Sequence, residues 1–174
     1  MAGHAGSGKS SLAREIADRI GGVVIDLDTI KAVLLDCGAD WDDASRWSYA
    51  TLYALVDDVL TTVSAKVIVD TPSYWPEIHE RLTSAADRND ADYVFVECDA
   101  PESIRALRLE QRPTRRSQVP GLGVNPLDAP VETEAVHLRP IQRPFDRLCL
   151  RVPTDKPVEL DGLLVQLPNF DQLI

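Results

Sequence analysis

Gly3-His4-Ala5-Gly6-Ser7-Gly8-Lys9-Ser10 is the stretch that organises the rest of the chain. It fits G-x-x-x-x-G-K-[ST], a pattern in which each residue type has a physical reason. Glycines at 3, 6 and 8 let successive backbone N–H groups turn inward around an anion without Cβ clashes. Just past the loop, Leu12, Ile16 and Ile20 fall at i, i+4 and i+8, with Ala13 and Ala17 alongside. Residues 9–20 therefore read as an amphipathic helix, stopped by Gly21-Gly22. That helix aims its positive end at the same anion. Lys9 supplies a point charge for a phosphate chain and Ser10 a hydroxyl able to ligate Mg2+; Gly3, Gly6, Ser7, Gly8 and Ser11 complete the binding set.

Outward from the loop, short apolar runs alternate with helical patterns. Val23-Val24-Ile25 is a strand ending at Asp26, followed by a short helix over Thr29 to Leu35. A longer helix covers residues 43–64, with Leu52, Val56, Val59 and Val63 on one face and Asp42 or Asp43 as cap. Val67-Ile68-Val69 is a second strand, closing on Asp70-Thr71-Pro72. Pro76 opens a helix running to about Arg88. Tyr93 to Val96 is a third strand ending near Glu97, and Pro101 opens a helix that stops at about Arg112, before Pro113. Residues 113–130 hold Pro113, Pro120, Gly121, Gly123, Pro126 and Pro130 and read as a mobile surface segment. Leu148 to Val152 is a last strand and Val158 to Leu167 a closing helix. Solidly apolar strands separated by helices predict a parallel sheet covered on both faces, an α/β fold.

In folds with such a loop a buried strand precedes it, yet only Met1 and Ala2 precede Gly3. The expectation is that the chain begins late, with roughly four to eight mainly apolar residues just upstream.

The 174 residues carry 18 Lys+Arg against 28 Asp+Glu, a net charge of −10, with 44% hydrophobic and 26% charged residues. One domain of ordinary soluble composition follows. The acidic surface disfavours general binding to nucleic acid or anionic lipid. No apolar run approaches the ~18 residues of a membrane span. Cys37, Cys98 and Cys149 are scattered and odd in number, which supports neither a zinc site nor a disulfide framework and fits a reduced, cytoplasmic protein.

Candidate chemistry gathers at the strand ends. Asp70 is placed to hold Mg2+ through water, or alternatively only to cap the next turn. No Glu follows it, which disfavours a motor ATPase, and no N-K-x-D or T-K-x-D motif supports a GTPase. In Asp26-Leu27-Asp28-Thr29-Ile30-Lys31, a carboxylate at the ligand crevice can take the proton of an attacking hydroxyl, and a cation three residues on can sit beside a moving phosphoryl group. Asp28 is the first choice for the base; Asp26 could exchange roles with it, and Asp28 could instead be a helix cap. Arg105, Arg108, Arg112, Arg115 and Arg116 crowd into twelve residues. They suit a lid closing guanidinium groups over phosphates, or else form a solvated face. Trp41, Trp47, Tyr49, Tyr74 and Trp75 fall around the substrate-side loops, to stack on an acceptor ring or simply to pack. Arg139, Arg143, Arg147 and Arg151 recur every four residues, but Pro140 and Pro144 prevent one helix. His79 and His137 show no evident partner.

The order Gly3–Ser10, Asp26–Lys31, Val67–Asp70, then Arg108-Leu109-Glu110-Gln111-Arg112 with a lid resembles the small P-loop kinases of the P-loop NTPase superfamily. The nearest groups are the zeta-toxin-like, chloramphenicol-phosphotransferase-like and gluconate-kinase-like enzymes, with the polynucleotide 5′-kinase domain more distant. The resemblance spans about residues 1–167. It implies a three-layer α/β/α domain over residues 1–174 with a lid at about 112–130. The implied sheet is five-stranded, parallel and ordered 2-3-1-4-5, its first strand truncated. ATP with Mg2+ would donate a phosphoryl group to a hydroxyl of a small molecule. Lys9, Asp28, Lys31, Arg108 and Arg112 would carry catalysis, and Ser10 and Asp70 the metal. Val152-Pro153-Thr154-Asp155 resembles the loop beside the adenine, which adds Thr154 and Arg112 to the nucleotide set. Lys31 stands where many relatives carry Arg, which weakens bidentate phosphate holding and disfavours the polynucleotide version. A non-catalytic ATP-binding module is the alternative of a different class.

Overall fold

The computed structural model describes residues 1–63, 65–126, 129–130 and 139–168. Its elements run α1 (Lys9–Ile20), β1 (Val23–Asp26), α2 (Leu27–Asp36), α3 (Trp41–Val63), β2 (Val67–Asp70), α4 (Pro76–Arg88), β3 (Val94–Asp99), α5 (Glu102–Gln111), β4 (Leu148–Pro153) and α6 (Leu160–Leu164). β1 and β2 pair in parallel with Val23 opposite Val67 and Asp26 opposite Asp70. That register sets two carboxylates side by side at the ends of adjacent strands. β3 and β4 form a second parallel pair.

Met1 and Ala2 join the two pairs. Ala2 N–H donates to Val96 O (2.7 Å) and Ala2 O accepts from Cys98 N–H (2.8 Å). On the other side Met1 N donates to Val69 O (2.6 Å) and Met1 O accepts from Thr71 N–H (3.4 Å). The order is thus β1, β2, Met1–Ala2, β3, β4: the expected 2-3-1-4-5 arrangement, with two residues in the central place of a strand.

Apolar clusters cover both faces. Leu12, Ala13, Ile16 and Ala17 of α1 pack with Ile68, Val96, Cys98, Val152, Leu163 and Leu164. On the opposite face Leu52 and Val56 of α3 and Ile78, Leu82 and Ala85 of α4 pack with Ile25 and Leu27. Each fully buried aliphatic side chain contributes about 1.5–3 kcal/mol, so the strand ends rest on a rigid platform.

Several boundaries differ from those predicted. α2 begins at Leu27 rather than Thr29, because Asp26 ends its strand and caps the helix at once: its carboxylate accepts from Thr29 N–H (3.2 Å) and Thr29 Oγ1 (2.9 Å). α3 begins at Trp41, capped by Asp40 rather than Asp42 or Asp43, with Asp43 N–H bonded to Asp40 Oδ1 (2.8 Å). The closing helix is cut to Leu160–Leu164. His79 has partners after all. It is buried, with Nδ1 3.0 Å from Tyr93 Oη and Nε2 2.9 Å from Gln142 O. Arg143, Arg147 and Arg151 pair with Glu97, Asp87 and Asp99 across the surface. Ser64, His137 and residues 127–128 of the expected lid lie outside the described residues.

Candidate functional site

The loop between Ala2 and α1 turns on left-handed glycines: Gly6 has φ +78° and Gly8 φ +86°. A Cβ on Gly6 would meet Arg105 O at 2.6 Å. Gly6→Ala therefore combines left-handed strain of about 1–2 kcal/mol with a backbone collision. Its expected cost is about 2 kcal/mol or more, a Tm lower by roughly 4–8 °C in a thermal melt, with weakened nucleotide binding.

The loop is braced from behind. Thr154 Oγ1 donates to Ser7 O (2.6 Å) and Asp99 O (3.0 Å), while Arg108 donates to Gly6 O (3.4 Å) and to Thr154 O. Arg105 Nη1 reaches Ala5 O at 3.5 Å. Lys9 Nζ folds over the loop to His4 O (3.2 Å). These bonds engage the carbonyls of residues 4 to 7 along the loop.

In front of the loop lies a cavity of about 340 Å³, and Lys9, Ser10, Asp28, Lys31, Asp70 and Arg112 all line it. Six residues chosen from four separate stretches of sequence thus meet in one space. Arg108, Ser11 and Thr154 do not line it; Ser11 is exposed, and the other two brace the loop. Residues 3 and 6–8 form the loop backbone behind it.

Asp28 sits in the first turn of α2. Burial pushes its carboxyl above the usual carboxylate range, reinforced by Asp26 and Asp70 and opposed by a hydrogen bond from Gln118 and the charge of Lys9. Asp26, its rival from sequence, also lines the cavity, but it caps α2 and pairs with Arg115 (3.0 Å). Burial likewise brings Lys31 down to about 8, with Asp28 and Asp42 opposing. Its ammonium lies 3.2 Å from the centre of the Trp41 ring, a cation–π contact. Arg112 donates through Nη2 to Val119 O (3.1 Å), while its buried Nε lacks a hydrogen-bond partner. A buried guanidinium N–H with nothing to bond is the group an incoming anion would satisfy.

Sequence reading missed the polar residues that tie the 113–126 segment to α2. Ser117 Oγ donates to Asp28 O (2.8 Å) and Gln118 Nε2 to Asp28 Oδ2 (3.1 Å). Arg115 bonds Asp26 and Thr29, and Arg116 bonds Leu35 O and Asp36. Of the five clustered arginines only Arg112 lines the cavity. No motif marks Ser117 or Gln118. Ser45 and Ser48 were findable, since Trp41, Ser45, Ser48 and Tyr49 fall on one face of α3 at i, i+4, i+7 and i+8. Trp47 is off that face and half exposed.

Residues 1–128 match the family described as AAA domain, whose members are P-loop NTPases. The chain belongs to this family. No curated protein matches it in sequence. Among solved structures, this family member is similar to a sugar kinase from Janibacter sp. HTCC2649 (TM-score 0.59, 16% identity, covering 94% of this chain and 89% of that one). It is similar to the Mycobacterium tuberculosis APS kinase solved with AMPPNP and APS (TM-score 0.59, 20% identity, 94% and 91% covered). A gluconokinase from Sinorhizobium meliloti 1021 also matches (TM-score 0.53, 21% identity, 90% and 81% covered). The α/β architecture with parallel strands is that of the P-loop NTPases. No helix among the described residues is long and apolar enough to cross a membrane.

Proposed function

We propose that this P-loop protein is an ATP-dependent kinase that transfers the γ-phosphoryl group to a hydroxyl of a small molecule. One observation carries the reading: a partly buried carboxylate (Asp28), two lysines and a half-buried arginine share a single cavity with the phosphate loop. The similarity to a sugar kinase, an APS kinase and a gluconokinase supports it. The residues fit a magnesium–triphosphate pair: left-handed glycines at 6 and 8 shape the loop, Arg112 Nε is unsatisfied, and a hydroxyl and a buried carboxylate (Ser10 and Asp70) line the same cavity.

Lys9 and the loop amides hold the β- and γ-phosphates. Ser10 would hold Mg2+, with Asp70 through water; the ion would neutralise developing charge. Asp28 accepts the acceptor's proton as its oxygen bonds phosphorus and the bond to the ADP oxygen breaks. Lys31 and Arg112 stabilise negative charge on the transferring group. Residues 112–126, tied to α2 by Arg115 and Arg116, act as the closing segment that excludes water.

The test is ADP formation across a library of hydroxylated metabolites, with loss of ADP formation in Lys9→Ala as control; a complete panel without turnover refutes it. Lys31 gives a second check. With its ammonium at about 8, charge is present below that pH and lost above it, so kcat/KM falls on the alkaline side. Lys31→Arg cannot deprotonate and is expected to lose the alkaline limb out to pH ~10. An identical limb in both proteins removes Lys31 from the reaction.

A further inference from the structure

The cavity is polar toward the phosphate loop and apolar toward α3 and the segment after β2. Tyr49, Tyr74 and Trp75 line it there. They form a fixed edge-to-face set: Tyr49 to Trp75 at 6.2 Å and 87°, Tyr74 to Trp75 at 6.0 Å and 76°. Arg139 lies over the Trp75 ring at 5.7 Å, and Lys31 occupies a face of Trp41. Both contacts hold the indoles in place before any ligand arrives. Burial keeps both phenols protonated, Tyr49 well above its ordinary value and Tyr74 up to about 12.

Thr71 Oγ1 lines this side, buried without a hydrogen-bond partner, and can meet one polar group of an acceptor, whereas the serine hydroxyls are engaged with the backbone. Ser45 Oγ donates to Trp41 O (2.7 Å) and Ser48 Oγ to Ser45 O (2.8 Å). Gln118 is bonded to Asp28. A polyol seated against the rings themselves would turn some of its hydroxyls onto aromatic surface, and each bond left unmade there weakens binding. A flat ring loses nothing of that kind and gains edge and face contacts.

We infer that the acceptor is an alcohol bearing a planar aromatic or heteroaromatic ring, seated against Tyr49, Tyr74 and Trp75 with its hydroxyl delivered to Asp28. This rests on the kinase reading and adds the substrate class to it. In the transfer the hydroxyl proton goes to the Asp28 carboxylate, the acceptor oxygen bonds the γ-phosphorus, and ADP leaves with the electrons of the broken P–O bond.

The experiment has a binding arm and a turnover arm. Calorimetric titration of the full chain with Mg2+ and AMPPNP compares 3-phenylpropan-1-ol, pyridoxine and uridine with glucose, gluconate and glycerol. At least one ring-bearing alcohol is expected to bind about tenfold to a hundredfold tighter than every polyol. Trp75→Leu is expected to raise its Kd and KM about tenfold, with kcat within about threefold and AMPPNP affinity intact; Trp75→Phe restores most of the loss. Polyols binding as tightly as the ring set, binding by neither set, or an unchanged Kd in Trp75→Leu overturns the inference. Ring binding without ADP formation keeps the ring seat and refutes the kinase; ADP formation with polyols alone does the reverse.

Discussion

Lys9→Ala is expected to lower affinity for a nucleoside triphosphate by a hundredfold or more, about 2.7 kcal/mol, while the protein stays folded. The ammonium lies over the loop on His4 O, 3.2 Å from an oxygen it can leave when a better acceptor arrives. A phosphate oxygen is that acceptor: a charge-assisted bond is worth roughly twice a neutral one. The side chain belongs to neither apolar cluster, so its removal should leave Tm nearly unchanged. Calorimetric titration with AMPPNP and Mg2+ checks both statements. Unaltered affinity in the variant would end the assignment of the loop.

For Asp28→Asn the expected result is a kcat about a hundredfold lower, the scale of losing a positioned general base, with nucleotide affinity kept. Burial raises its pKa, which makes the carboxylate a stronger base than one in water. The acid limb of the rate profile accordingly lies above the ordinary carboxylate range near 4, and the Asn variant has no such limb. Stability moves the other way. Because the folded pKa is raised, folding favours the protonated form; that contribution is complete below the unfolded value and is lost as pH rises through the folded one. At pH 7.5, above the unfolded value, that preference counts against the fold, so Asp28→Asn should melt higher there and by a smaller margin near pH 4. A variant as active as the parent, or one less stable at pH 7.5, would show that Asp28 is a structural group.

Periodicity and punctuation carried most of the fold. Gly21 ends α1 where the apolar stripe ends, and Asp26 and Asp70 close strands whose register brings them opposite one another. Local rules failed where a side chain answers to a distant partner. Asp26 looked like an alternative base until its bonds to Thr29 and Arg115 were visible. Arg108 looked like a catalytic lid arginine and Thr154 like a ligand of the nucleotide; both are found holding loop carbonyls, Gly6 O and Ser7 O, 102 and 147 residues away in sequence. Gln118 bonds Asp28 across 90 residues, a pairing that no spacing rule encodes. The aromatic residues separated by helical phase: 41 and 49 share a face, and 47 does not.

Met1 and Ala2 stitch two half-sheets together through four backbone bonds, and the anion-binding bend springs from the very next residue. The clasp for the ligand and the seam of the architecture are therefore one object. A substitution that loosens either must be felt by the other, so in this molecule recognition and cohesion cannot be tuned separately.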